Sequence, residues 1–96
     1  MSVARAVEAL LIMATDPVPA ADLAAQLGVP EHEVVAELEQ LTRFYRETER
    51  GFELRRVAGG WRLATAPDLA EVLEAAVVAE TRARLSQAAL ETLAVI

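Results

Sequence analysis

The 96 residues contain no cysteine, no lysine and a single histidine, His32. Without cysteine there can be neither a disulfide nor a thiolate metal site, and one histidine cannot build a histidine cluster. No Gly-rich phosphate loop, HExxH motif or nucleophile elbow occurs, and "AGGW" at residues 58–61 reads as a hairpin turn and not as a phosphate cradle. The carboxylates sit on helix surfaces among arginines, where nothing tunes a pKa for acid–base work. These absences point away from an enzyme and imply no cofactor and no metal. An apolar run from Ala9 to Ala14 lies between Glu8 and Asp16-Pro17 with no small-residue cleavage site after it, and no run approaches the length of a membrane span. The expected address is therefore the cytoplasm, with no membrane contact.

What is present is alanine-rich, 54% hydrophobic and 25% charged, the composition of one helical globular domain. A chain this size hides only about 60–65% of its unfolded surface, so a second complete domain does not fit. The net charge is -6, which argues against nucleic acid as the main partner. The acids are not evenly spread. Residues 51–66 carry one glutamate against Arg55, Arg56 and Arg62, a basic island in an acidic chain.

Apolar spacing predicts a first helix over 3–14, with Val3, Val7, Leu10, Leu11 and Ala14 toward the core. Ile12 points away from that face beside Arg5 and Glu8. With Ala9 and Met13 it widens the apolar surface beyond what one buried stripe needs, so Ala9, Ile12 and Met13 are candidates for a protein interface; an isolated exposed isoleucine is the plainer alternative. "TDPVPA" breaks the helix. A short helix over 21–27 follows, closed by Gly28, and "GVP" turns into a third helix over 31–49 that buries Val34, Leu38, Leu41 and Tyr45. Short helix, tight turn and longer helix form helix-turn-helix grammar.

In a DNA reader the third helix would present its outward residues to the major groove. Those residues are Glu33, Glu39, Gln40, Arg43, Arg46, Glu47 and Arg50, with Glu39–Arg43 and Arg43–Glu47 spaced as solvated ion pairs. Three carboxylates facing phosphate would be repelled. "GFELRRVAGGWRLAT" then alternates as a β-hairpin, with Phe52, Leu54, Trp61 and Leu63 on a core-covering face. Arg56 falls by parity on that apolar face, where its stem can cover carbon while its head reaches water. Arg55, Arg56 and Arg62 are the candidates for DNA or partner contact. After the hairpin a helix buries Leu69, Val72, Leu73 and Ala76 and is expected to fade near Val78. "AETRAR" is then a charged connector, and Ser86 caps a new helix with Leu85, Ala89 and Leu93 on one side.

The fold class is thus mainly α with a small β-hairpin: a winged helix, helix-turn-helix plus two-stranded wing. The final residues echo the first helix, "ALETLAVI" at 89–96 against "AVEALLIM" at 6–13, and the chain is expected to stop inside the first helix of a second copy. On "VEALLIMATDPVPAADLAAQLG", the hairpin and above all "RLSQAALETLAVI", the sequence resembles the segregation and condensation protein B family, ScpB. That resemblance implies a bacterial tandem winged-helix protein associated with the nucleoid. It implies homodimerisation through the N-terminal domain and binding of the kleisin ScpA, which bridges the heads of the SMC ATPase in chromosome condensation and segregation. It divides the chain into an N-terminal domain over 1–79, a linker over 80–85, and the first helix of a truncated second domain over 86–96. The resemblance makes DNA contact weak or indirect. A winged-helix DNA-binding transcriptional regulator is the alternative the hairpin arginines suggest.

Overall fold

The computed structural model describes residues 2–95, and the side chains of residues 2–88. The Ser2 hydroxyl accepts from the N–H of Arg5 at 3.4 Å and starts helix α1, Val3–Met13. Val7 and Leu11, one turn apart, are its buried residues, with Val3 and Leu10 half-buried at the margin. Ala14, expected in the core, is the exposed C-cap, because the chain already turns toward Pro17 there. Helix α2, Ala20–Leu27, buries Ala20, Leu23 and Ala24, and ends on Gly28 at φ +67°, the left-handed cap that glycine adopts without strain. Helix α3, Glu31–Glu47, buries Val34, Leu38, Leu41 and Tyr45, the four positions its periodicity marks. It stops two residues earlier than expected. Glu49 takes φ +51°, and the N–H of Arg50 bonds back to the Tyr45 carbonyl at 3.1 Å, which turns the chain into the hairpin.

Strands β1, Phe52–Val57, and β2, Gly60–Thr65, pair antiparallel with Leu54 opposite Leu63, Arg55 opposite Arg62 and Arg56 opposite Trp61. The two-residue turn has φ +47° at Ala58 and +80° at Gly59, the sense that matches strand twist. A feature the sequence does not announce completes the sheet. Val18, in the loop between α1 and α2, exchanges both backbone hydrogen bonds with Trp61, at 2.8 and 2.9 Å. This one-residue bridge ties the helix-turn-helix to the two-stranded wing, and the two share one core, in which Leu54 and Trp61 join Val7, Leu11, Leu23, Val34 and Leu38. This is the winged-helix arrangement.

The chain divides into two compact units, residues 1–66 and residues 67–96. A single 3-10 turn, Pro67–Leu69, leads into helix α4, Ala70–Val95. Two expectations fail here. The helix does not fade near Val78, and no connector over 80–85 or fresh start at Ser86 interrupts it. Residues 80–85 contain neither glycine nor proline and, apart from Thr81, consist of good helix formers. Glu80 and Arg84 form an i,i+4 ion pair, and the Thr81 hydroxyl donates to the Val77 carbonyl at 2.9 Å. Val72, Leu73 and Ala76, expected in the core, are exposed, and Leu69 is half-buried. The side chains of Ala89 and Leu93, and with them the echo of the first helix, lie outside the described residues. Among the described residues no helix is long and apolar enough to cross a membrane.

Gly60 is buried where β2 meets the loop: a Cβ on it would lie 2.9 Å from both the carbonyl carbon and Cβ of Pro17, and 3.0 Å from the Val18 nitrogen. Gly60→Ala is therefore expected to push the loop off β2 and cost about 1–3 kcal/mol, read as a lower urea midpoint followed by Trp61 fluorescence.

Candidate protein-interaction surface

Tyr45 links three elements. From α3 its hydroxyl donates to Glu8 Oε2 on α1 at 2.5 Å, and its ring meets Phe52 of β1 edge-on, with centroids 4.8 Å apart at 66°. Burial pushes the phenol well above the ordinary tyrosine value, and the hydrogen bond and negative charge of Glu8 push it the same way. Ile12 stands one turn beyond Glu8 on α1. Holding Glu8 therefore sets where Ile12 stands relative to Phe52.

Between them opens a groove of about 480 Å³ lined by Ile12, Phe52, Arg62, Leu63, Ala64 and Thr65. Four consecutive residues of β2 line it. A strand face contributes alternate residues only, so the wall here is the backbone edge of β2. Ile12 is 75% and Phe52 41% exposed, and both are apolar. Phe52 therefore covers the core only in part and gives the rest of its ring to the groove, a departure from its expected role. Met13, 78% exposed, and Ala9 are exposed on α1 without lining the groove. Of the three α1 candidates, Ile12 is the one that joins the hairpin.

The three wing arginines are divided. Arg55 and Arg62 oppose each other on the outer face; Arg56 shares the Trp61 face, its guanidinium 5.7 Å from an indole ring centroid. Arg55 Nε donates to Glu53 Oε1 at 2.6 Å, with a weaker 3.5 Å reach from its Nη2 to the Thr65 carbonyl. Arg62 has no ion-pair partner among the described residues. On α3 the outward residues are all exposed, His32 among the other exposed ones, but the expected Glu39–Arg43 and Arg43–Glu47 pairs do not form; in high dielectric such pairs contribute little. Arg50 instead lies 5.8 Å from the Phe44 ring centroid. The sequence pointed to Ile12 and Arg62 separately. That they line one groove, together with Leu63 and Thr65, depends on the strand register and on α1 packing, which no local pattern encodes.

Comparison with known proteins agrees with this architecture. The family model described as segregation and condensation complex subunit ScpB matches residues 5–96. The segregation and condensation protein B of Moorella thermoacetica is 45% identical over 91 residues, which cover 95% of this chain and 46% of that protein. The chain thus spans less than half the length of that relative. Among solved structures, ScpB from Mycobacterium tuberculosis is 36% identical with a TM-score of 0.82, covering 98% of this chain and 59% of that one. A dimer of the ScpB N-terminal domain complexed with ScpA peptide is 38% identical with a TM-score of 0.70, covering 74% of this chain and 89% of that one.

Tyr45 is the sole tyrosine, so its titration can be read directly by phenolate absorbance. The phenol is expected to stay protonated past pH of about 10, the ordinary value. Because the folded value is raised, the associated stability is present in full below that pH and is lost as pH rises toward the folded value. Tyr45→Phe is expected to cost about 1–2 kcal/mol through the lost bond to Glu8 and to abolish this alkaline loss, checked by melting at neutral and alkaline pH.

Proposed function

The chain belongs to the ScpB family of segregation and condensation proteins, and from that premise we propose that it is a non-enzymatic adaptor of the bacterial SMC–kleisin complex. It dimerises and binds the kleisin ScpA in chromosome condensation and segregation, in the cytoplasm at the nucleoid. The observation that carries the reading is the joining of Ile12 to the hairpin in one open, largely apolar groove on a winged helix. Large exposed side chains brought together in this way mark a protein-binding surface. The division of the wing arginines between two faces, and the carboxylates along the outer side of α3, favour the adaptor over the DNA-binding regulator.

Two apolar surfaces serve two partners in this proposal. The groove receives the kleisin, with Ala9 and Met13 at its approach. The second copy packs on α4, which between Ala70 and Ala79 carries only Glu71 and Glu74 as charges and exposes Val72, Leu73, Val77 and Val78. A helix apolar on most sides is one that another surface covers. Residues 1–79 then act as the N-terminal domain, and 86–96 as the start of a second winged helix reached through residues 80–85.

The 96-residue chain is expected to sediment as a dimer at tens of micromolar. Val77→Glu should shift it to monomer, whereas Ile12→Glu should leave the dimer intact and reduce capture of full-length ScpA from the same genome at least tenfold. A wild-type monomer would remove the dimeric adaptor. Full retention of ScpA by Ile12→Glu would remove the groove as its site. Both substitutions are at exposed positions, so the melting of the monomer, read at a concentration where the wild type has dissociated, should change by no more than about 0.5 kcal/mol.

A further inference from the structure

We propose that the open edge of β2 and the groove beside it take an extended acidic segment of the kleisin, added to the sheet as an antiparallel strand in line with Val18. This rests on the reading that the groove is the kleisin site, and it specifies how the site recognises its partner.

The hydrogen-bond parity comes from Trp61. Both of its backbone groups bond to Val18, so its pair with Arg56 is a non-hydrogen-bonded pair of the β1–β2 ladder. Alternation then makes Leu54–Leu63 and Phe52–Thr65 non-hydrogen-bonded too. The bond from the Ala66 N–H to the Gly51 carbonyl, 3.0 Å, fits the same alternation at the next position. The N–H and C=O of Leu63, and the N–H of Thr65, therefore point away from β1 along the edge that walls the groove. Val18 pairs with Trp61 and goes no further: the chain before it bends at Thr15 and Asp16 and rejoins α1. The two-stranded sheet thus carries a bridge one residue long, followed by peptide groups that an incoming backbone can complete.

Side chains define what kind of strand fits. An added strand sends alternate side chains to the two faces of the sheet. On one face they meet Ile12, Phe52 and Leu63. On the other they meet Arg62 and, across the ladder, Arg55. Two arginines directly opposed repel each other. Glu53 answers Arg55, and among the described residues no carboxylate forms an ion pair with Arg62. The matching segment alternates apolar and acidic residues. A second copy adding its own β2 to this edge would bring two more arginines to the face that already has two, so self-pairing is disfavoured by charge.

The test uses the 96-residue chain and overlapping short peptides tiling the ScpA of the same genome, with binding read by fluorescence anisotropy. The tightest peptide is then N-methylated one residue at a time. Strand addition requires a period of two: methyl groups at alternate residues lower affinity about tenfold, and those between leave it within about twofold. Thr65→Pro, which removes an outward N–H at a position where an edge strand accommodates proline, should weaken binding about tenfold while Thr65→Val does not. Arg62→Glu should do the same as Thr65→Pro, with melting unchanged. A peptide that binds without the two-residue period overturns strand addition and leaves the adaptor reading standing. So does capture of full-length ScpA when no peptide binds. Failure of full-length ScpA to bind overturns both. Displacement of the peptide by random duplex DNA at low salt, or edge pairing between two copies blocked by Thr65→Pro, also overturns the proposal.

Discussion

Two hydrogen bonds between Val18 and Trp61 set the geometry on which the rest of the molecule depends. They attach the wing to the helical half, and they do so at a defined parity. With Trp61 facing the core, Leu54 and Leu63 follow on the same side, and Arg56 is placed over the indole. Arg55 and Arg62 are sent to the opposite side. A shift of one residue in that attachment would expose Trp61 and bury arginines, a far larger penalty than any single contact here contributes. The close approach at Gly60 exists because the loop must come near enough to make those bonds.

The same attachment explains what the fold can be used for. A winged helix offers two elements to DNA, the third helix and the wing. In this chain the side chains of both favour another use. α3 presents carboxylates outward, and the wing keeps its basic residues on separate faces. The most exposed large apolar side chains lie at the C-terminal end of α1 and along α4, with Phe44 on α3 and Phe52 and Val57 on β1 less so. The backbone does not decide between reading nucleic acid and joining proteins.

Much of this architecture was legible in the residues. The spacing of Val34, Leu38, Leu41 and Tyr45, the glycine at 28, the alternation through Leu54, Trp61 and Leu63, and the odd parity of Arg56 each encode local geometry, and each appears as read. The misses share a physical cause. Val18 is a bridge of one residue between two prolines, too short for any period to reveal. The stretch over 80–85 reads as a connector by charge but as helix by propensity, and without glycine or proline propensity prevails. Val72, Leu73 and Ala76 carry a core pattern and yet are exposed, because hydrophobic spacing records that a surface is to be buried and not by what. Likewise, the groove depends on Tyr45 reaching Glu8 across 37 positions of sequence.

Pro17 and Pro19 bear on a different hazard. Val18 turns its N–H and C=O toward β2; its two neighbours are prolines without an N–H to offer, and the Pro19 carbonyl is taken by the N–H groups of Asp22 and Leu23 at the start of α2. That edge lacks the donors another strand would need at those two positions. Proline is one of the devices that blunt a sheet edge against pairing with another chain. The two residues that keep the bridge so short also leave it a poor template for aggregation.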